Sequence, residues 1–183
     1  YVGGELGAVI KAAPVDLRMA LAFPDLYEVG MSHLGFNLLY RLVNSQEDLA
    51  CERAFAPWPD LEAMLRAGDE PLRSLETGRP LHAFDLIGFS LQYELSLPTV
   101  LNMLDLGGVA LHHRDRGRQA PIIIAGGPGT VNPAPIMDFF DALVLGDGED
   151  VLIEIARVLI PLKGAPREEI HQALAAVEGV LVP

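Results

Sequence analysis

Two turns in this sequence carry the residue types that approach or grip a ligand. Gly126-Gly127-Pro128-Gly129 sets three glycines around a proline, and Gly146-Asp147-Gly148-Glu149-Asp150 alternates glycine with carboxylates. Glycine lets backbone come close to a bulky group because no Cβ intervenes. The first turn is either such an approach or simply a tight strand-to-helix turn. It is not a dinucleotide fingerprint, which would follow the first strand and open a helix directly. In the second, Asp147 with Asp150 three residues on fits a helix cap. Carboxylates crowded at one helix start repel an anion and suit a ligand that presents hydroxyl or amide donors. His33 is a candidate cofactor or metal ligand, the plainer reading being polar surface at a helix start. Trp58, between Pro57 and Pro59, is either a packing anchor or part of a ligand lid.

These turns need elements to position them. Apolar runs at Leu17–Phe23, Arg53–Phe55, Leu86–Phe89, Ile122–Ala125 and Ala142–Leu145 read as five strands. Ile122 to Ile124 is β-branched throughout, as expected for a strand buried on both faces of a parallel sheet. Between the strands the spacing is helical: Leu34, Leu38 and Leu42; Leu61, Met64 and Leu65, ending at Gly68; Leu97, Val100, Leu101 and Leu104, ending at Gly107-Gly108; Val151, Ile155 and Leu159, closed by Pro161. A further, weaker helix is expected around Ile136–Phe140. Alternating strands and helices predict right-handed βαβ units. The expected fold class is α/β: a flavodoxin-like, doubly wound, five-stranded parallel sheet in a Rossmann-like three-layer sandwich.

Such sheets bind ligands at the carboxyl ends of their strands. That nominates the loops Pro24–Ser32, Ala56–Asp60, Ser90–Ser96, Gly126–Asn132 and Gly146–Asp150, which also hold Tyr27, Trp58 and Tyr93. Arg114, Asp115, Arg116 and Arg118 fall on the opposite edge and read as a solvated charge run. His82, His112, His113 and His171 fall there or in the tail, with no role assigned. After Pro161, residues 163–166 read as a linker, Ile170, Leu174 and Val177 as a small helix, and Val180–Val182 as the start of a strand. The expected organisation is a lead-in over 1–14, a ligand-binding domain over 15–160, and a connecting tail over 161–183.

The 183 residues carry 13 basic and 25 acidic side chains, a net charge of −12. A surface this acidic repels phosphate backbones, which argues against nucleic acid or an anionic membrane as partner of this segment. Cys51 is the single cysteine, which excludes an internal disulfide and any cluster held by several of the chain's own thiolates. It reads as a buried thiol ahead of the second strand and fits a reducing cytoplasm. The chain opens on Tyr1 rather than methionine, as expected of a piece of a longer protein.

Several stretches taken together resemble a known family. Asp85-Leu86-Ile87-Gly88-Phe89-Ser90, Ile122-Ile123-Ile124-Ala125-Gly126-Gly127-Pro128 and Asp141-Ala142-Leu143-Val144-Leu145-Gly146-Asp147-Gly148-Glu149 resemble the cobalamin-binding domain that precedes many radical S-adenosylmethionine (radical SAM) enzymes. The opening from Phe23 to Gly35, with Phe55-Ala56-Pro57-Trp58-Pro59-Asp60 and Gly88–Leu95, is similar to a little-characterised subfamily of those proteins. The resemblance implies a corrin lying across the carboxyl edge of the sheet, its nucleotide tail toward the later strands. It implies cofactor contacts from Tyr27, Glu28, Ser90, Leu91, Gln92, Tyr93, Gly126, Gly127, Gly129, Gly146, Asp147, Gly148 and Glu149. It also implies a covalently linked radical SAM domain that would carry the 4Fe–4S cluster and S-adenosylmethionine, methyl transfer being the commoner reaction of the class.

One motif departs from the family. Domains that bind cobalt through histidine carry Asp-x-His-x-x-Gly after the first strand, whereas here Met31 stands two residues before His33 and Phe36 three after. Without that aspartate the histidine lacks its usual supporting partner, so cobalamin, if bound, is expected with no histidine–cobalt bond. A module that kept the fold, lost the cofactor and serves for docking is the alternative. A phosphoacceptor receiver is set aside because the third strand ends in Ser90, and a flavodoxin because no serine- or threonine-rich phosphate loop follows the first strand.

Overall fold

The computed structural model describes residues 5–12 and 14–183, so the expected lead-in over 1–14 lies partly outside the described residues. Six strands form one sheet in the order β2-β1-β3-β4-β5-β6. They are β1 (Leu17–Phe23), β2 (Leu49–Phe55), β3 (Leu86–Ser90), β4 (Ile122–Gly126), β5 (Ala142–Val144) and β6 (Val180–Leu181). The first five run parallel and β6 runs antiparallel to β5. This is the doubly wound α/β architecture expected, with one strand more. Chain order reverses between β1 and β3, and a crevice opens at such a switch point because the flanking connections leave in opposite directions.

The helices are α1 (Tyr27–Ser32), α2 (Leu34–Ser45), α3 (Pro59–Gly68), α4 (Leu97–Leu106), α5 (Gly148–Leu159) and α6 (Arg167–Leu174). One face of the sheet packs Leu21, Ile124 and Val144 against Phe36 and Tyr40 of α2, Ile155 of α5 and Leu174 of α6. The other packs Ile87, Phe89 and Ile123 against Val100, Met103 and Leu104 of α4. No helix among the described residues is long and apolar enough to cross a membrane.

The structure corrects several sequence-based expectations. In α2 the buried stripe is Phe36, Tyr40 and Val43, whereas Leu34 and Leu38 are exposed. Aromatic area outweighs leucine count, because a larger ring removes more surface from water. The helix expected at Ile136–Phe140 is a single 3-10 turn, Met137–Phe139. Pro133 and Pro135 remove backbone donors just where a helix would start hydrogen-bonding. The second strand begins at Leu49, so Cys51 lies within it and is fully buried.

Charge at the centre of that strand concealed its first four residues. Glu52 and Arg53 are both buried, and each is paired by the segment that seals the open edge of β2. Glu52 accepts hydrogen bonds from Ser74 Oγ and Thr77 Oγ1, both at 2.6 Å. Arg53 Nε donates to Glu76 at 2.7 Å, and Leu75 N donates to the Arg53 carbonyl, also at 2.7 Å. A covered edge cannot template association with another strand.

The tail is part of the domain. Ile170, Leu174 and Val177 are buried, and β6 extends the sheet. Arg116, expected in a solvated charge run, is buried and donates to Asp141 at 3.0 Å. Arg167 and His171 of α6 reach the other oxygen of Asp141 at 3.3 and 3.1 Å. His171, given no role from sequence, thus helps to pin α6 to the start of β5.

Candidate functional site

Parallel register brings Ser90 of β3, Gly126 of β4 and Val144 of β5 into one row at the carboxyl edge. Beyond that row the chain is stitched together by its own backbone. Leu91 N donates to the Gly126 carbonyl at 2.8 Å, and Gly129 N donates back to the Leu91 carbonyl at 3.0 Å. Gly127 makes this possible. Its φ is +105°, and a Cβ there would lie 2.6 Å from the Leu91 carbonyl oxygen. The Gly126–Gly129 turn is therefore both a tight turn and a close backbone approach.

A crevice of about 650 Å³ opens between this edge and the amino ends of α2 and α5, within the range of small-molecule sites. Its floor is apolar, with Leu21, Gly88, Phe89, Ile124 and Val144 from the sheet and Phe36, Leu39 and Leu152 from the helices. Gly88 keeps the middle of that floor low. Polar groups stand at the mouth: His33, Ser90, Gln92, Asp147 and Glu149. Gln92 Nε2 donates to Ser90 Oγ at 2.8 Å, which fixes both side chains across the end of β3. Thr130 Oγ1 lies 2.8 Å from the Gly127 carbonyl and 3.0 Å from the Val144 carbonyl, bracing the glycine turn against β5.

Asp147 occupies the N-cap position of α5 but makes no capping hydrogen bond. Its carboxylate is exposed, as is that of Glu149, so both face solvent at the rim rather than closing the helix. Gly146 has φ +108° and open space where a Cβ would stand. Backbone is thereby bared at the edge of the crevice.

Of the thirteen residues nominated from sequence, Ser90, Gln92, Gly126, Gly127, Gly146, Asp147, Gly148 and Glu149 line this crevice, and so does His33. Tyr27, Glu28, Leu91, Tyr93 and Gly129 do not. Tyr27 turns its hydroxyl onto Glu5 at 2.5 Å, a hydrogen bond that pushes its phenol pKa up. Leu91 is buried under the glycine turn and contributes its backbone. Tyr93 and Trp58 are about half exposed, 50% and 45%, outside the crevice. The sequence reading missed the α2 wall, from Gly35 to Leu39, because its leucine stripe pointed to the wrong face. No group of three or more His, Cys, Asp or Glu side chains among the described residues is arranged to hold a metal ion.

His33 has a defined job. It is the N-cap of α2, and its Nδ1 accepts the Phe36 backbone N–H at 3.2 Å. Phe23 packs beside the imidazole with ring centroids 5.3 Å apart.

An open, mostly parallel sheet with an apolar crevice at its switch point, glycine-walled and rimmed by polar groups, is the place where doubly wound α/β folds put their ligand sites. A family model described as "Radical SAM proteins, N-terminal" matches residues 35–183, and the chain belongs to that family. Its structure is similar to that of the radical S-adenosylmethionine methyltransferase TsrM from Kitasatospora setae, determined with a tryptophan substrate and the SAM analogue aza-SAM bound. The TM-score is 0.55 at 13% sequence identity, covering 90% of this chain and 28% of that one. At that identity the likeness is one of fold, and the chain spans little more than a quarter of the methyltransferase's length. No curated protein sequence matches.

Proposed function

We propose that this chain is a cobalamin-holding module of a radical SAM enzyme. The observation that carries the reading is the glycine cradle at the mouth of the crevice. Gly127 is held by close backbone packing, and Gly146 bares backbone into open space. The residues fit the group. Cobalamin is larger than the 650 Å³ crevice, so its nucleotide tail would enter between α2 and α5 while the macrocycle lies over the rim. Corrin side-chain amides are donors, matched by the Asp147 and Glu149 carboxylates and by carbonyls at the strand ends. Cobalamin supplies methyl-transfer or electron-transfer chemistry when bound, and this chain's residues bind it, orient it and keep water from its buried side.

The 4Fe–4S cluster and S-adenosylmethionine belong in this reading to a further domain of the same polypeptide, because a cluster needs several thiolates and this chain carries Cys51 alone. The reaction would be completed there.

Titration of the purified chain with hydroxocobalamin tests the proposal. A shift in the visible spectrum, with cobalamin retained through a desalting column at tens of micromolar protein, supports it. An unchanged spectrum with no retention overturns it in favour of a docking module without cofactor.

A further inference from the structure

We propose that His33, whose Nδ1 is taken up as the acceptor that caps α2, turns Nε2–H as a hydrogen-bond donor to a ligand oxygen in the crevice and does not ligate a metal. The proposal rests on the cobalamin reading for the identity of the ligand, and on the fold alone for the tautomer.

An α-helix leaves its first backbone N–H groups without intrahelical partners, and an N-cap side chain that accepts from one of them stabilises it. Here the accepting atom is His33 Nδ1, and the donor is Phe36 N, three residues on. A nitrogen that accepts a hydrogen bond carries no proton, so in the neutral ring the proton sits on Nε2.

Geometry then decides what Nε2 can do. His33 is among the residues that line the crevice, its Nδ1 is turned onto α2, and the hydrogen bond its ring makes among the described residues is at Nδ1, not Nε2. Cobalt ligation through Nε2 needs a lone pair on that atom. It would force the proton onto Nδ1, where it would meet the Phe36 N–H, and the cap would be lost. Ligating histidines usually give their second N–H to a carboxylate or carbonyl. His33 has a donor facing that nitrogen instead. Nε2–H is therefore matched to a phosphate or amide oxygen of whatever lies between α2 and α5.

Two variants separate capping from donation. His33→Asn keeps a good N-cap acceptor but is too short to donate into the crevice. His33→Gln keeps a donor near the position of Nε2 and gives up the cap. Long-range proton–nitrogen correlation NMR on the nitrogen-15-labelled chain, with the His33 signals assigned by their loss in either variant, reads the tautomer without cofactor. An Nε2–H pattern is expected, and an Nδ1–H pattern overturns the proposal. For ligand contact, His33→Asn should weaken hydroxocobalamin retention about fivefold with its urea midpoint unchanged. His33→Gln should lower the midpoint and hold affinity. Equal affinity in His33→Asn and the unmodified chain overturns the donor role. In the cob(II)alamin-loaded chain, nitrogen-15 labelling should leave the EPR splitting unchanged, and a change from a three-line to a two-line pattern that His33→Asn abolishes would show ligation. A chain that takes up no cobalamin overturns the proposed function and, with it, the donor role toward that ligand, while the NMR pattern still decides the tautomer.

Discussion

Leu145 donates its backbone N–H to the carbonyl of Gly179 at 2.8 Å, fastening the last wall of the crevice to the tail of the chain. Leu145 lines the crevice just after β5, and Gly179 turns into β6 with φ +78°. The same tail is held at the other end of β5 by Asp141, which takes hydrogen bonds from Arg167 and His171. A short strand at the edge of the site is thus braced at both ends by residues that look, in sequence, like a connector.

Removing residues 163–183 should destabilise the whole domain. Burial of Ile170, Leu174 and Val177 contributes about 1.5–3 kcal/mol each, and 1 kcal/mol is worth roughly 2–4 °C in a domain of this size. The melting temperature should fall by about 10 °C or more. A truncated chain that melts with the full one would show the tail to be an independent linker.

Asp141→Asn should cost about 3–5 kcal/mol in urea unfolding, the range for breaking a buried ion pair. The substitution leaves Arg116 buried without its counter-charge. A loss under 1 kcal/mol would mean that the carbonyls of Ala110, Leu111 and Phe139, to which Arg116 also donates, satisfy it unaided.

The same carboxyl predicts an acid limb. Burial pushes its pKa up, but the His171 hydrogen bond, the charges of Arg167 and Arg116 and the Ile123 N–H outweigh this and hold it below its ordinary 3.8. A carboxyl held lower in the folded chain stabilises fully above its unfolded pKa and loses that contribution as pH falls through the folded one. Unfolding free energy should be level for this group above about pH 5 and decline below about pH 4. In Asp141→Asn that decline should shrink, and matching acid slopes in the two chains would count against the assignment.

Gly127→Ala places a Cβ 2.6 Å from the Leu91 carbonyl oxygen in a backbone conformation with φ +105°. It should lower stability by about 2 kcal/mol or more. Gly117→Ala, where nothing lies within 4 Å of the new atom, should stay within about 0.5 kcal/mol. Gly146→Ala strains φ alone and should cost about 1 kcal/mol, so the chain stays folded while cobalamin retention falls. Retention equal to the unmodified chain would remove Gly146 from the cradle.

Cys51 is fully buried, and burial foremost pushes its thiol pKa well above the ordinary value. The thiolate is the reactive form. Dithionitrobenzoate should leave the native chain unlabelled for as long as it stays folded and titrate one thiol in denaturant. Rapid labelling of the native chain would show that β2 opens locally.

The alternation of apolar runs and helical stripes determined the parallel sheet, and with it the edge on which ligand loops must lie, because hydrophobic period and the succession of elements along the chain are local properties. The glycine turns at Gly126 and Gly146 were legible for the same reason: a backbone need is written in the residue that meets it. What only the tertiary structure decided depends on partners distant in sequence. The second strand reads as starting only at Arg53, because Glu52 is a charge without a visible partner until Ser74 and Thr77 arrive to pair it, as Glu76 pairs Arg53, at the edge of β2. Arg116 read as surface until Asp141 buried with it. Leu34 and Leu38 marked a face of α2 that Phe36 and Tyr40 outcompeted for the core. His33 reads from spacing as a ligand or as surface, and that its Nδ1 caps α2 through the Phe36 N–H at 3.2 Å is visible only in the fold. Spacing shows where a side chain stands, but only the fold shows which atoms face it.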